Sequence, residues 1–155
     1  MQTLLFRNAT LDDLPKIVEI YNSTIASRMV TADTEPVTLE SRPLWMIEDQ
    51  HYSTVGWASF QSFYGRPAYD ATVEISIYLD PLQRGKGLGT QVLQHCIESS
   101  PLFEIKTLLG FIFAHNEPSL RLFKHFGFEE WAHFPNVALL DGVERSLKIV
   151  GKRVG

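Results

Sequence analysis

Residues 72–89 read TVEISIYLDPLQRGKGLG, an alternating apolar strand followed by a basic loop and the start of a helix. Three glycines in the loop allow a tight turn and a close approach between backbone and ligand: Gly85, Gly87 and Gly89. The free N–H groups at a helix N-terminus favour an anion, and Arg84 and Lys86 add two positive charges. The stretch therefore predicts a site for a phosphate or pyrophosphate group.

The glycine spacing separates the known phosphate loops. The nucleotide-hydrolase loop requires GxxxxGK followed by Ser or Thr, and this run lacks that ending. The dinucleotide fingerprint requires GxGxxG, whereas the glycines here fall as GxGxG. The pattern Arg84-x-x-Gly87-x-Gly89 instead resembles the pyrophosphate loop of the GCN5-related N-acetyltransferases (GNAT), which bind acetyl-coenzyme A.

The resemblance extends over nearly the whole chain. The segment 116–128, NEPSLRLFKHFGF, is similar to a later motif of the family. RNATLDDLPKIVEIYN, TADTEPVT and RPAYDATVEISIYL are similar to the phosphinothricin-type acetyltransferases, which acetylate amino acids and their analogues. The resemblance implies one domain over residues 1–155, of the α/β class, with a mostly antiparallel central sheet flanked by helices.

Composition limits the class of protein. The chain of 155 residues with 45% apolar residues suits one folded domain. A net charge of −4 argues against nonspecific nucleic-acid binding. The single cysteine, Cys96, cannot form an internal disulfide and fits a reducing compartment. Neither a membrane span nor a signal peptide is evident, so we expect a cytoplasmic protein; relatives are often dimers, which leaves a homodimer open.

Periodicity and turn residues predict the elements. Strands are expected at 4–7, 44–48, 54–63, 71–79, 108–114, 136–140 and 144–150. Helices are expected at about 12–27, after Gly87, and at 118–126 before Gly127. Asp141-Gly142 indicates a hairpin turn, and Cys96 lies on the apolar stripe of the second helix.

The resemblance implies an acetyl-CoA site built from three segments. The backbone of the strand 77–79 is expected to pair with pantetheine, through Ile77, Tyr78 and Leu79. The pyrophosphate loop comprises Arg84, Gly85, Lys86, Gly87, Leu88, Gly89 and Thr90. Asn116 matches the family residue that contacts pantetheine, and Ser119 follows at the family spacing. The alternative is that Asn116 caps the helix that follows it, and both roles can hold together.

Glu74 is the candidate base that deprotonates the acceptor amine. It lies in an apolar strand, where a carboxylate is costly unless it has a purpose or a partner. Burial raises the pKa of a carboxylate and makes it a better base. Alternation places Glu74 and Tyr78 on one face, where they could share a substrate pocket. The alternative is a structural salt bridge, for example with Arg66.

A general acid cannot be identified. Many family members carry Tyr, and the phosphinothricin branch often His, at the position that is Phe123 here. The C-terminal hairpin reads ALLDGVERS, with Asp141 but without the His or Trp of some relatives. The five histidines show no metal-binding spacing, so no metal is expected: His51, His95, His115, His125 and His133.

The resemblance implies an acceptor pocket that includes Thr31, Glu35 and Arg66. Arg66 could pair bidentately with an amino-acid carboxylate, or could be a solvated arginine in a turn. Two departures, Ala32 and a shortened 36–45 segment, suggest a wider pocket. The predicted function is transfer of acetyl from acetyl-CoA to a small primary amine, an amino acid or analogue such as phosphinothricin or methionine sulfoximine. The alternatives are a protein N-acetyltransferase and a non-catalytic coenzyme A sensor.

Overall fold

The computed structural model describes residues 2–25 and 42–155, which form seven strands and three α-helices. In chain order they are β1 Leu5–Asn8, α1 Leu14–Ile25, β2 Leu44–Glu48, β3 Thr54–Ser62, β4 Thr72–Leu79, α2 Leu88–Ser99, β5 Thr107–Phe113, α3 Glu117–His125, β6 Glu129–Leu140 and β7 Val143–Arg153. The strand order is β1-β2-β3-β4-β5-β7-β6, with β4 and β5 parallel. The predicted α/β fold with a mostly antiparallel sheet is confirmed. Across the described ranges, no helix has the length and apolar character of a membrane span.

The chain divides into two compact units, and β4 contributes residues to both. The described residues within 2–61 and 76–95 form the first unit, and residues 62–75 and 96–155 form the second. The first contains β1, α1, β2, β3 up to Gln61, the end of β4 and most of α2. The second contains the start of β4 together with β5, β6, β7 and α3.

In the first unit, a capping box formed by Thr10 and Asp13 starts the short 3-10 turn Leu11–Asp13, which leads directly into α1. The backbone N–H of Thr10 donates to Asp13 Oδ2 at 2.7 Å. Both carboxylate oxygens of Asp13 also accept from the Arg7 guanidinium, at 2.7 and 2.8 Å. The bonds from Arg7 lower the pKa of Asp13 to about 2. The start of α1 is thereby fixed to β1.

Aromatic packing fixes α2 to β1 and β2 within the first unit. The ring of His95 stacks on Phe6, with centroids 3.9 Å apart, and meets Trp45 edge-on at 4.8 Å. One turn earlier, Gln91 Nε2 donates to the backbone carbonyl of Gln2 at 2.7 Å. The helix that follows the glycine-rich loop therefore has a fixed support.

In the second unit, β5 lies between β4 and β7, and α3 covers one face of the sheet. Gly110 of β5 is registered with Val150 of β7. The ring of Phe123 from α3 lies over Gly110 and meets Phe128 edge-on at 4.8 Å. The helix approaches the sheet closely because Gly110 has no side chain.

The C-terminal hairpin is longer than the sequence predicted. The expected strands 136–140 and 144–150 extend to Glu129–Leu140 and Val143–Arg153. Two residues interrupt the regular ladder of the first strand: Pro135 has no N–H to donate, and Asn136 has a φ of 54°. The strand absorbs both in a register shift between Phe134 and Ala138. The predicted turn at Asp141-Gly142 is present, with φ values of 51° and 78°.

Substituting Gly110 by alanine is expected to destabilise the fold by about 1–3 kcal/mol, as overpacking of a core typically does. A Cβ at this position would lie 2.6 Å from Cε1 of Phe123 and 3.1 Å from Cγ2 of Val150. Urea unfolding monitored by circular dichroism measures the loss. Gly155→Ala is the control, because its Cβ would meet its nearest neighbour at an ordinary 3.4 Å. Equal stability of the two variants would contradict this packing account.

Candidate active site

The predicted anion loop is exposed and contains two glycines in the left-handed region. Asp80 follows β4, and its side chain accepts from the N–H of Leu82 at 3.0 Å, which starts the turn Pro81–Gln83. Gly85 and Gly87 then have φ values of 78° and 71°, with open space where a Cβ would lie. Such positive φ values strain most residues with a Cβ, so glycine is strongly favoured here.

The charge of the loop fits an anionic group. Arg84 and Lys86 are exposed, and Lys86 Nζ donates to Gln83 Oε1 at 2.9 Å. The loop runs directly into the first turn of α2, whose N–H groups are free to donate. Leu88 is 2% exposed, so its side chain anchors the helix and only its backbone could face a ligand. The loop could therefore hold a pyrophosphate, and its residues remain predicted ligands.

The end of β4 is held against β3 by a glycine that the sequence analysis missed. A Cβ on Gly56 would overlap the carbonyl oxygen of Tyr78 and lie 2.8 Å from Cδ2 of Leu79. The N–H of Asp80 also donates to the carbonyl of Val55 at 2.8 Å. On its other edge, β4 is registered with β5 for three residues only, from Thr72 to Glu74. The predicted pantetheine-binding backbone at 77–79 thus lies beyond that parallel ladder.

Tyr78 is a core residue of the first unit. Its ring is 7% exposed and stacks on Trp57 at 4.3 Å, with Tyr21 at 5.7 Å. It belongs to a cluster with Ile20, Leu44, Met46 and Trp57. The structure therefore assigns its ring a packing role, and its predicted contacts with cofactor and substrate stay predictions.

Asn116 caps α3, as its alternative interpretation predicted. Its Oδ1 accepts from the N–H of Ser119 at 3.3 Å, and the side chain is 8% exposed. Pro118 follows in the first turn, where its missing N–H is not needed. The predicted contact of Asn116 and Ser119 with the cofactor remains open, and it is compatible with the cap.

Glu74 lies in the second unit at the last registered position between β4 and β5. Its partner across the ladder is Leu109, and its side chain is half-buried and makes a polar interaction. Arg66 precedes the short turn Pro67–Tyr69 and is exposed, with its guanidinium carbon 5.1 Å from the centroid of Tyr64. A cation–π contact of this kind orients the guanidinium. Thr31 and Glu35 lie outside the described residues.

At the position where many family members carry the general acid, this chain has a core residue, Phe123. Phe123 is 7% exposed and has no proton to donate.

Burial and the charge of Arg145 lower the pKa of His115, which precedes Asn116 and stacks on Phe113 at 5.7 Å. Cys96 is fully buried, as predicted, and burial raises the pKa of its thiol to about 12. The described ranges contain no group of three potential metal ligands.

The fold and the loop together are those of an acyltransferase, and comparison with known proteins identifies the family. The model of the Acetyltransferase (GNAT) family matches residues 14–128, so the chain belongs to this family. As a member, it is an acetyl-CoA-dependent N-acetyltransferase, which confirms the predicted enzyme class and acetyl donor.

Individual relatives cover nearly the whole chain. It is 49% identical to a protein of Bacillus subtilis (strain 168) named "Putative phosphinothricin acetyltransferase YwnH", over 97% of this chain and 99% of the relative. It is 31% identical to the L-methionine sulfoximine/L-methionine sulfone acetyltransferase of Pseudomonas aeruginosa, over 84% of this chain and 83% of the relative. The crystal structure of a GNAT superfamily phosphinothricin acetyltransferase from Sinorhizobium meliloti in complex with AcCoA shares the fold. Its TM-score to this chain is 0.89 at 24% identity, over 99% of this chain and 89% of that structure's chain.

Proposed function

We propose that the acceptor is the α-amino group of a free amino acid or an amino-acid analogue of the phosphinothricin or methionine sulfoximine type. Relatives named for acetylation of these compounds cover most of the chain. The structural observation that supports the proposal is the position of Glu74. It is a half-buried carboxylate on β4, the strand that leads into the anion loop.

Each part of the reaction is assigned to a residue type that the chain supplies. Bound acetyl-CoA provides an activated thioester carbonyl. The loop 84–90 binds its pyrophosphate through backbone N–H groups and two cations. Glu74 accepts the proton that the ammonium group of the acceptor must lose before it can attack. Phe123 cannot supply a proton to the leaving group. A thiol has a pKa of about 8.5, so the thiolate is stable enough to leave unprotonated.

A panel of amines tests the acceptor class directly. Release of the coenzyme A thiol is measured with phosphinothricin, methionine sulfoximine, free amino acids, polyamines and a peptide with a free N-terminus. We expect the highest kcat/KM for amino acids or their analogues. A higher kcat/KM for the peptide or the polyamines would contradict the proposal.

Arg66 is proposed to bind the carboxylate of the acceptor. Arg66→Lys is expected to raise KM for methionine sulfoximine about tenfold, because lysine cannot form the bidentate contact of a guanidinium. The parent should acetylate the matching amine without the carboxylate poorly. Arg66→Lys should acetylate that amine nearly as well as the parent does. Steady-state kinetics with this pair of substrates measures the effect.

Arg121→Lys is the matched control, since Arg121 is an exposed arginine on another element, α3. It should leave both KM values unchanged. If Arg66→Lys changes KM equally for the acid and the decarboxylated amine, Arg66 does not bind the carboxylate.

Two further properties are proposed rather than established. We infer that the enzyme works in the cytoplasm, because its single cysteine cannot form an internal disulfide, which fits a reducing compartment. We also infer a homodimer from the resemblance to relatives that are often dimers, and sedimentation velocity over a range of concentrations tests it. A small-molecule acceptor requires neither nucleic acid nor a membrane.

A further inference from the structure

Three aromatic side chains cluster around Arg66 in the segment between β3 and β4. The rings of Tyr64 and Tyr69 meet edge-on, with centroids 5.3 Å apart. The ring of Phe63 lies 5.9 Å from that of Tyr69 and 6.1 Å from that of Tyr64, measured between centroids. All three side chains are exposed, and Tyr64 is the most exposed at 57%. Each ring therefore supports the other two while the cluster presents aromatic surface to solvent.

Gly65 turns the chain between Tyr64 and Arg66, which brings their side chains into contact. Its φ of 66° lies in the left-handed region, which glycine adopts readily. Its N–H donates to Oγ of Ser62 at 3.0 Å and fixes the start of the turn. The guanidinium carbon of Arg66 lies over the ring of Tyr64, 5.1 Å from the ring centroid. This separation is within the cation–π range of about 6 Å.

The backbone of Arg66 is held from its other side by Tyr69. The carbonyl of Arg66 accepts from the N–H of Tyr69 at 2.9 Å, which closes the short turn Pro67–Tyr69. Proline restricts the residue before it to extended backbone, and Arg66 has φ −122° and ψ 145°. The ring of Tyr69 in turn packs against Tyr64. The backbone and the guanidinium of Arg66 are thus held within one closed set of contacts.

An arginine held in this way is suited to bind a carboxylate. A guanidinium that stacks on an aromatic ring keeps its N–H donors, which form the fork that pairs with a carboxylate. A freely solvated arginine loses its rotamer freedom when it binds a ligand. Contact with Tyr64 restricts the guanidinium beforehand, so less freedom is lost when the carboxylate binds.

We propose that Tyr64, supported by Phe63 and Tyr69, is a positioning residue that orients Arg66 and thereby raises the affinity for acceptors that carry a carboxylate. This inference rests on the proposed role of Arg66 in binding that carboxylate. Tyr64 acts through the guanidinium and contacts neither the reacting amine nor the thioester. Its contribution therefore belongs to KM for acids and not to kcat.

The first test compares substitutions of Tyr64 with and without a ring. Tyr64→Leu is expected to raise KM for methionine sulfoximine about two- to fivefold, as loss of an exposed cation–π contact does. KM for the matching amine without the carboxylate, and kcat for both substrates, should stay unchanged. Tyr64→Phe keeps a ring and should restore KM close to that of the parent. Equal changes in KM for the acid and the amine would overturn the proposal, as would a Phe variant no better than the Leu variant.

Phe134→Leu is the matched control, since Phe134 is a 43% exposed aromatic residue on another element, β6. It should leave KM for both substrates unchanged. Urea unfolding of each variant identifies a purely structural role. Such a role would lower the unfolding midpoint of Tyr64→Leu without separating the acid from the amine, and that result would overturn the proposal.

A double-mutant cycle tests whether Tyr64 acts through Arg66. In the Arg66→Ala background, Tyr64→Leu should no longer change KM for the acid, because the group that Tyr64 positions is absent. The same rise in KM with and without Arg66 would mean that Tyr64 acts independently of the guanidinium, which contradicts the proposal.

The proposed function and this inference fail in different ways. If Arg66→Lys raises KM selectively for the acid and Tyr64→Leu does not, the positioning role is wrong and the proposed function stands. If Arg66→Lys has no effect selective for the acid, the carboxylate contact itself is wrong, and the positioning role of Tyr64 is wrong with it.

Discussion

Replacing Glu74 by glutamine is expected to lower kcat by about 10²–10⁴-fold, which is the usual contribution of a positioned general base. The amide keeps the shape of the side chain but cannot accept a proton from the acceptor ammonium. Affinity for acetyl-CoA, measured by calorimetry, should change by less than about threefold, because the cofactor is assigned to other residues. Single-turnover kinetics with the best acceptor measures the chemical step directly.

Glu144→Gln is the matched control for this substitution. Glu144 is an exposed glutamate on β7, registered with Leu139 near the hairpin turn. It should leave kcat and the midpoint of urea unfolding unchanged. If Glu74→Gln retains the kcat of the parent between pH 6 and 9, Glu74 is a structural residue.

Replacing Gly87 by glutamate is expected to weaken acetyl-CoA binding by about tenfold to hundredfold. A charge-assisted hydrogen bond contributes about 1.5–3 kcal/mol, and about 1.4 kcal/mol corresponds to a factor of ten in affinity. The new carboxylate would put negative charge next to the bound pyrophosphate. It would also place a Cβ at a φ of 71°, which strains the loop.

A second glycine separates the charge effect from the strain. Gly142 in the hairpin turn also has a positive φ, 78°, and no atom within 4 Å of a built Cβ. Gly142→Glu introduces the same charge and a similar strain outside the predicted cofactor loop. Its acetyl-CoA affinity should equal that of the parent, and an equal loss in both variants would remove the cofactor assignment from 84–90.

The contact between Gly151 and Trp131 shows why some of the packing could not be predicted. Glycine at position 151 and tryptophan at position 131 are ordinary residues of a hairpin when the sequence is read alone. Their contact depends on a bulge and on the β6–β7 register. A register is set by hydrogen bonds between residues distant in sequence, and a shift of one residue would turn each side chain to the other face.

The assignments of Tyr78 and Phe123 depended on the tertiary structure in the same way. Alternation along β4 predicted that Tyr78 shares a face with Glu74, but it could not show that Trp57 stacks on the Tyr78 ring. The substitution of Phe123 for the family's acid was readable in the sequence. Its role as a core residue over Gly110 was not, because that contact joins α3 to a strand outside its own segment.

The sequence by itself determined the features that arise from local physical chemistry. The positive φ values of Gly85 and Gly87, the cap at Asn116 and the turn at Asp141-Gly142 each depend on residues close together in the chain. The tertiary structure alone decided which residues share a sheet face, how far the terminal strands extend and which glycines permit close packing. These features follow from long-range register and side-chain volume, which no single segment contains.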